Sequence, residues 1–210
     1  VVEEPSFGID NRSDIEVLGI PILHAYPQLT TFLVANTKGD FLMLKKMPDG
    51  SIHTKNIEVS EAGRRVSWTR RDKQNKILKV EESGDDTYDP RMRPWYMGAV
   101  KDKGLHWTDI YIFFTDQSPG ITVSMPVFDQ DQKLRGVLGV DLILSELSTF
   151  LASLTIGVHG RALIIDEHGR LIAYPETDRM LKDVGGELQP VMRGALSNLV
   201  AKTFKIITKK

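Results

Sequence analysis

The residues best equipped for chemistry lie in one short stretch, Tyr88-Asp89-Pro90-Arg91-Met92-Arg93-Pro94-Trp95-Tyr96. Arg93 can fork two hydrogen bonds onto a carboxylate, and Trp95 and Tyr96 add apolar walls with polar tips. The two prolines fix φ and bias Asp89 and Arg93 toward extended backbone. Pro94 suits the first position of a helix, expected to run to about Lys103. That places Arg93, Trp95 and Tyr96 at a helix N-terminus, where free N–H groups favour an anion. The same residues also describe a helix start pinned by core aromatics, with Arg93 on a structural aspartate. A complementary charge stands at Asp141, near the end of the nearly apolar stretch Leu134–Ile143, where an unpaired carboxylate is costly. It needs several donors or a cation, which a ligand ammonium, Arg93 or a nearby lysine would supply. Gly139, on the same face, removes a side chain and leaves room to approach Asp141. In Ile110–Thr115, Tyr111, Phe113 and Thr115 alternate with Ile110, Ile112 and Phe114. Tyr111 either presents its hydroxyl to a pocket or sits in the core with one hydrogen bond.

The elements that must position these groups read mostly as strands. Thr31–Ala35 leads through Asn36-Thr37-Lys38-Gly39-Asp40 into Phe41–Leu44, a hairpin whose turn needs the positive φ of Gly39. Pro48-Asp49-Gly50 marks a second turn, followed by strands near Ser51–Glu58 and Arg64–Arg70. Asp129–Lys133 turns into Leu134–Ile143, and Asp166-Glu167-His168-Gly169 turns into Arg170–Tyr174. Asp14–Leu29 reads as a helix tail interrupted by Pro21. Ser145–Leu154 reads as a helix capped by Ser145, with Leu147, Phe150, Leu151 and Leu154 on its buried face. The hairpin around Gly39 and the one around Gly169 form a weak repeat. Their separation predicts two α/β modules, each an antiparallel sheet flanked by helices.

Composition narrows the possible functions. The 210 residues carry 27 Lys plus Arg and 28 Asp plus Glu, a net charge of -1, which speaks against nucleic-acid binding through bulk positive charge. With no cysteine, disulfides, zinc–thiolate sites, thiol catalysis and iron–sulfur centres are excluded together. No Gly-x-Gly-x-x-Gly, phosphate-loop or Gly-x-Ser-x-Gly motif occurs. His24, His53, His106, His159 and His168 lack short metal-ligand spacing, and Asp129–Lys133 lacks the Gly and Glu of a calcium loop. No catalytic residue, metal or cofactor is expected. A hydrolase pairing Asp141 with Asp166 is the enzymatic alternative. No stretch is apolar enough to span a bilayer, and the start, Val1-Val2-Glu3-Glu4-Pro5, has no signal-peptide pattern; it reads as a fragment or processed product.

The ordered motifs resemble a known family. They are Tyr88-Asp89-Pro90-Arg91-x-Arg93-Pro94-Trp95-Tyr96, Trp107-Thr108-Asp109-x-Tyr111, Ile121-Thr122-Val123-Ser124-x-Pro126-Val127, Gly136-Val137-Leu138-Gly139-Val140-Asp141, and the run from Gly160 to Ala173. Together they resemble the double Cache family of extracytoplasmic sensors in prokaryotic membrane receptors. The resemblance implies an α/β (α+β) fold of two PAS-like modules on a long N-terminal helix, here largely missing. Residues 1–29 would be the helix remnant and lead-in, 30–144 the membrane-distal ligand module, 145–155 the connecting helix and 156–210 a truncated membrane-proximal module. It further implies a small-molecule ligand, best an amino acid, with its carboxylate on Arg93, Trp95 and Tyr96 and its ammonium on Tyr111 and Asp141. Tyr88 falls on a pocket position too. Phe113 departs from the amino-acid-binding pattern, which often has an acid there; Asp109 or Asp116 would have to compensate, or the ligand is a carboxylic acid or amine. The implied setting is the periplasmic part of an inner-membrane receptor, a possible homodimer, whose output is a nucleotide cyclase, histidine kinase, diguanylate cyclase or chemotaxis module, with the Asp-Pro-Arg-x-Arg-Pro-Trp-Tyr form pointing to cyclase and kinase receptors. A ligand-free dimerisation or interaction module is the alternative.

Overall fold

The computed structural model describes residues 11–84, 86–156, 160, 162–165, 171–175, 181–184 and 187–190. The chain divides into two compact units, residues 1–142 and 143–210. Among the described residues, no helix is long and apolar enough to cross a membrane.

The first unit is built on one antiparallel sheet. It comprises β1 (Thr31–Asn36), β2 (Phe41–Lys46), β3 (Ile52–Ser60), β4 (Gly63–Arg71), β5 (Ile77–Glu82), β6 (His106–Trp107), β7 (Tyr111–Ile112), β8 (Pro119–Phe128) and β9 (Leu134–Ile143). The order is β5-β4-β3-β2-β1-β9-β8-β6, with β7 also on β8. Strands β1 to β5 pair with their chain neighbours through tight turns, and Gly39 takes the expected left-handed conformation with φ +97°. The decisive non-local pairing is β1 with β9, which sets Thr31 opposite Asp141 and Leu33 opposite Gly139.

Two helices cover the two faces of this sheet. On one side α1 (Arg12–Ala25) sets Ile15 and Leu23 against Phe32, Val34, Leu42 and Leu44. On the other, α2 (Pro94–Asp102) sets Trp95, Tyr96 and Ala99 against Leu33, Ala35, Phe41 and Val137. This double cover explains why all six residues of β1 are buried, with the four apolar side chains Phe32–Ala35 in a run rather than an alternation. Helix α1 is tied down by Glu16, whose Oε1 accepts from Arg12 (3.0 Å), Arg71 (2.8 Å) and Thr54 (3.1 Å). Burial opposes the Glu16 charge, but the two guanidiniums prevail and hold its carboxyl below the ordinary range.

Several expectations need correction. Helix α1 runs unbroken through Pro21 and ends at Ala25, short of Leu29. Strand pairing around Tyr111 stops at Ile112, because Phe113–Gln117 forms a turn in which Gln117 donates to Phe113 O and Phe113 to Ser118 O. β5, β6 and β8 were not expected as strands.

The second unit contains α3 (Leu144–Ser153) and the antiparallel pairs β10 (Ile164–Ile165) with β11 (Leu171–Ala173), and β12 (Leu181–Val184) with β13 (Glu187–Pro190). Helix α3 starts one residue earlier than expected, with Ile143 at the cap position and no side-chain cap; Ser145 lies inside the helix. Leu147 and Leu151 are buried as the periodicity required, whereas Phe150 and Leu154 are partly exposed. His159 and the turn from Asp166 to Gly169, with His168, lie outside the described residues.

Candidate functional site

Asp141 is the centre of the site. Strand β9 delivers it to the α2 side of the sheet, where it is 6% exposed. The β1–β9 register brings Thr31 beside it, and Thr31 Oγ1 donates to Asp141 Oδ2 at 2.5 Å. From β8, Thr122 Oγ1 donates to Asp141 Oδ1 at 2.5 Å. Tyr111 Oη lies 2.6 Å from Thr122 Oγ1. The single Thr122 hydroxyl proton points at the carboxylate, so the phenol must donate to Thr122 and keeps its own lone pairs free to accept. Burial pushes the Asp141 carboxyl up to about 6, against the hydroxyl donors and the charges of Arg93 and Lys45, which pull it down. Burial also raises the Tyr111 phenol, which therefore stays protonated.

Arg93 brings the opposite charge to the same site. Its position follows from Pro90 and Pro94, which hold it extended between a short 3-10 turn and α2. Its Nη2 donates to Ile112 O at 3.0 Å. The guanidinium carbon lies 5.5 Å from the Tyr111 ring centroid and 5.9 Å from that of Tyr88, a cation held over two aromatic faces. Among the described residues it makes no ion pair with a carboxylate, so the structural aspartate allowed by the sequence is not its partner.

Arg93 and Asp141 line one cavity of about 20 Å3, space for roughly one water. Tyr88, Tyr111 and Phe113 line it with them, together with Leu33, Phe41, Met43, Phe114, Thr115 and Asp116. Trp95 and Tyr96 stand behind that lining. Trp95 is fully buried and its Nε1 donates to Tyr88 Oη at 3.2 Å; Tyr96 Oη donates to Asn36 O at 3.4 Å. The space expected at Gly139 is already taken. A Cβ there would stand 3.3 Å from Thr122 Cγ2 and 3.4 Å from Trp95 Cε3, so this glycine serves packing rather than access. Phe113 packs its ring onto Gly120 and edge-on to Tyr111. An acid at Phe113 would enter that buried contact.

Sequence reasoning missed two lysines. Lys45 ion-pairs with Asp116 of the Phe113–Gln117 turn, and Lys55 with Asp86. The Lys55 ammonium also lies 5.1 Å from the Tyr88 ring and 5.6 Å from the Phe114 ring. The signal was present in the alternation: Phe41 and Met43 face inward, so Lys45 two residues on shares their face. Lys55 stands in the same relation to Ile57. Among the described residues no group of three or more His, Asp or Glu could hold a metal ion.

Comparison with known proteins agrees with this fold. A family model described as the methyl-accepting chemotaxis protein-like, first PDC sensor domain matches residues 30–149. The methyl-accepting chemotaxis protein PscA of Pseudomonas syringae pv. tomato is 35% identical over 104 residues, covering 50% of this chain and 16% of PscA. McpG of Pseudomonas putida is 31% identical over 117 residues, covering 54% of this chain and 18% of McpG. The chain thus spans less than a fifth of these relatives. Two solved structures share the fold. One is the ligand-binding domain of the Pseudomonas aeruginosa amino acid chemoreceptor PctC in complex with GABA (TM-score 0.51, 18% identity, 85% of this chain and 61% of that one). The other is that of Pseudomonas fluorescens CtaA in complex with L-serine (TM-score 0.50, 19% identity, 80% and 57%). With more than half its length matched, the chain belongs to the PDC, or Cache-type, sensor domains of the methyl-accepting chemotaxis protein-like family.

Proposed function

We propose that the first unit binds a small zwitterion, an α-amino acid, between Arg93 and Asp141, and that it is the extracytoplasmic sensing part of a membrane receptor. The observation that carries the reading is the charge pattern of the cavity. Each lysine near it has an aspartate of its own, Lys45 with Asp116 and Lys55 with Asp86. Among the described residues, Arg93 has only a backbone carbonyl and two rings, and the Asp141 carboxylate only hydroxyl donors. One cation and one anion without ionic partners, facing the same cavity, match a ligand with one carboxylate and one ammonium.

Individual roles follow from the hydrogen-bond directions. The ligand carboxylate takes the Arg93 fork and the Tyr88 hydroxyl, whose oxygen already accepts from Trp95 and whose proton is left to give. The ammonium donates to Asp141 and to the Tyr111 oxygen. Trp95 and Tyr96 act by fixing Tyr88 and the α2 N-terminus rather than by touching the ligand. Leu33, Met43 and Phe113 meet the ligand side chain. Because the cavity holds roughly one water, binding displaces the turn that carries Asp116 and couples occupancy to shape. A ligand shifts a receptor only by its differential affinity for two such states. Among the output classes open to the sequence, the chemotaxis relatives favour a chemotaxis signalling module over a cyclase or kinase.

The test is a thermal-shift screen of the chain against amino acids, amines and small carboxylates, repeated with Arg93→Ala and Asp141→Ala. A ligand that binds only the folded state raises Tm by mass action, by the equivalent of about 2.7 kcal/mol at a hundredfold excess over Kd. The expected result is a rise with at least one amino acid that both variants abolish. A rise with acids alone that survives Asp141→Ala would replace the amino acid with a carboxylic acid. No rise with any of them would overturn the ligand reading and leave the family assignment standing.

A further inference from the structure

We infer that Lys45 determines specificity at this site, admitting ligands with a single positive charge and rejecting those with a second, so that basic amino acids and diamines are excluded. This inference rests on the amino-acid reading above and narrows it to amino acids with uncharged, apolar side chains.

The geometry begins with strand register. Lys45 pairs with Thr31 across β1 and β2, and Thr31 pairs with Asp141 across β1 and β9. Three residues thus stand in one row across three strands, on the face that carries the cavity. The Lys45 ammonium reaches Asp116 in the cavity wall, and both side chains are largely removed from solvent, 17% and 15% exposed. Its charge also acts on Asp141. Asp116 and Asp141 both line the cavity, and the Lys45 ammonium lies against Asp116 from behind that lining, so these two carboxylates and one ammonium leave one negative charge. One ligand ammonium neutralises it. A second ligand cation would face the Lys45 ammonium with no further carboxylate to neutralise it, in a site with little water to screen the repulsion.

The rest of the wall supports the same choice. Around the Lys45–Asp116 pair the lining is apolar, with Leu33, Met43, Phe113 and Phe114. Phe113 stands where an additional acid would have restored capacity for a second cation. The other lysine, Lys55, is neutralised by Asp86 and contributes no spare anion.

The experiment is isothermal titration of the purified chain with the proteinogenic L-amino acids and L-ornithine, for the native sequence and for Lys45→Met, Lys45→Arg and Lys46→Met. Lys46 is the control, because it removes the same charge one residue along, where the side chain instead donates to Tyr26 O and Pro27 O. The native chain is expected to bind an amino acid with an uncharged side chain and to bind L-ornithine at least about a hundredfold more weakly. Lys45→Met is expected to narrow that ratio by about tenfold or more, the size of one removed charge–charge repulsion at short range. Lys45→Arg and Lys46→Met should leave the ratio within about threefold of native. Amino-acid binding with a ratio that Lys45→Met does not change would overturn the role of Lys45 alone. A native chain that prefers L-lysine or L-ornithine would overturn it as well. A native chain that binds no amino acid would overturn this inference together with the reading beneath it.

Discussion

Asp141 is a carboxylate the fold would be more stable without. In the unfolded chain it ionises near 3.8, whereas burial in the folded chain raises its carboxyl to about 6. Between those values the folded state holds the proton and the unfolded state does not, so stability falls as pH rises from about 4 to 6. Complete by pH 7, the loss amounts to about 3 kcal/mol. Replacing Asp141 with Asn keeps a side chain of the same shape that the Thr31 and Thr122 hydroxyls can still bond, and removes the charge. Asp141→Asn is therefore expected to raise Tm at pH 7 by about 6 to 12 °C and to flatten its decline between pH 4 and 6, while ligand binding is lost. A Tm that falls on substitution would show the carboxylate to be structural. At this scale the sequence carried much of the site. Arg93, Asp141, Tyr88, Tyr111 and Phe113 meet at one cavity, as the charge logic and the family motifs together implied. Trp95 and Tyr96 face the same way in the chain but their polar tips are satisfied inside the core, which no local pattern distinguishes from a ligand contact. Lys45 was overlooked because a lysine at a strand end reads as solvated, and only the neighbouring strands reveal what it faces.

Elements explain which of these groups can move. Strands β1, β2 and β9 carry Thr31, Lys45 and Asp141 on a ladder buried between two helices, so that half of the site is rigid. The Phe113–Gln117 turn lies off that ladder and is held by its own hydrogen bonds, by the Phe113 ring on Gly120 and Tyr111, by the Phe114 ring on Tyr88, and by the ion pair from Asp116 to Lys45. Removing the ion pair with Asp116→Asn leaves the Lys45 ammonium without its partner and favours opening of the turn. Amide hydrogen exchange at Phe113 and Gln117 is expected to quicken by about tenfold in this variant, while exchange in β1 stays unchanged. Equal acceleration in both would mean that the pair stabilises the whole unit rather than the turn. The turn itself was not legible, because Ile110–Thr115 alternates as a strand does and nothing in the residue types announces that Phe113 folds back onto Gly120. By contrast the hairpin at Gly39 and the long strand after Lys133 were legible, since turn residues bracket them. β5 escaped notice for another reason. At the sheet edge Ile77, Leu78 and Val80 are all exposed, so no alternation betrays a buried face.

The whole molecule places its proposed chemistry in one of two units. Every side chain assigned to the cavity lies between Leu33 and Asp141, and both apolar clusters of the sheet, one under α1 and one under α2, are drawn from residues 15–140. That unit also contains its own buried polar anchor, since Glu16, Arg12, Thr54 and Arg71 all precede its boundary. A unit with a complete sheet, two covering helices and a satisfied polar cluster has what independent folding requires. A chain ending at Ile143, which preserves all of β9, is therefore expected to unfold in a single cooperative transition and to bind the ligand found in the screen within about threefold of the full chain. The same chain tests the anchor. Arg71 has a side chain only 3% exposed, so Glu16→Gln leaves a buried guanidinium without its anion and should cost about 3 kcal/mol or more at pH 7. Because the Glu16 carboxyl titrates below its ordinary 4.5 in the folded state, this contribution is present above that pH and disappears as pH falls through the lowered folded value. Native and Glu16→Gln chains should therefore converge in stability as pH is lowered below 4.5, measured by urea denaturation at a series of pH values. A difference that persists unchanged in acid would mean that packing, not charge, joins α1 to the sheet.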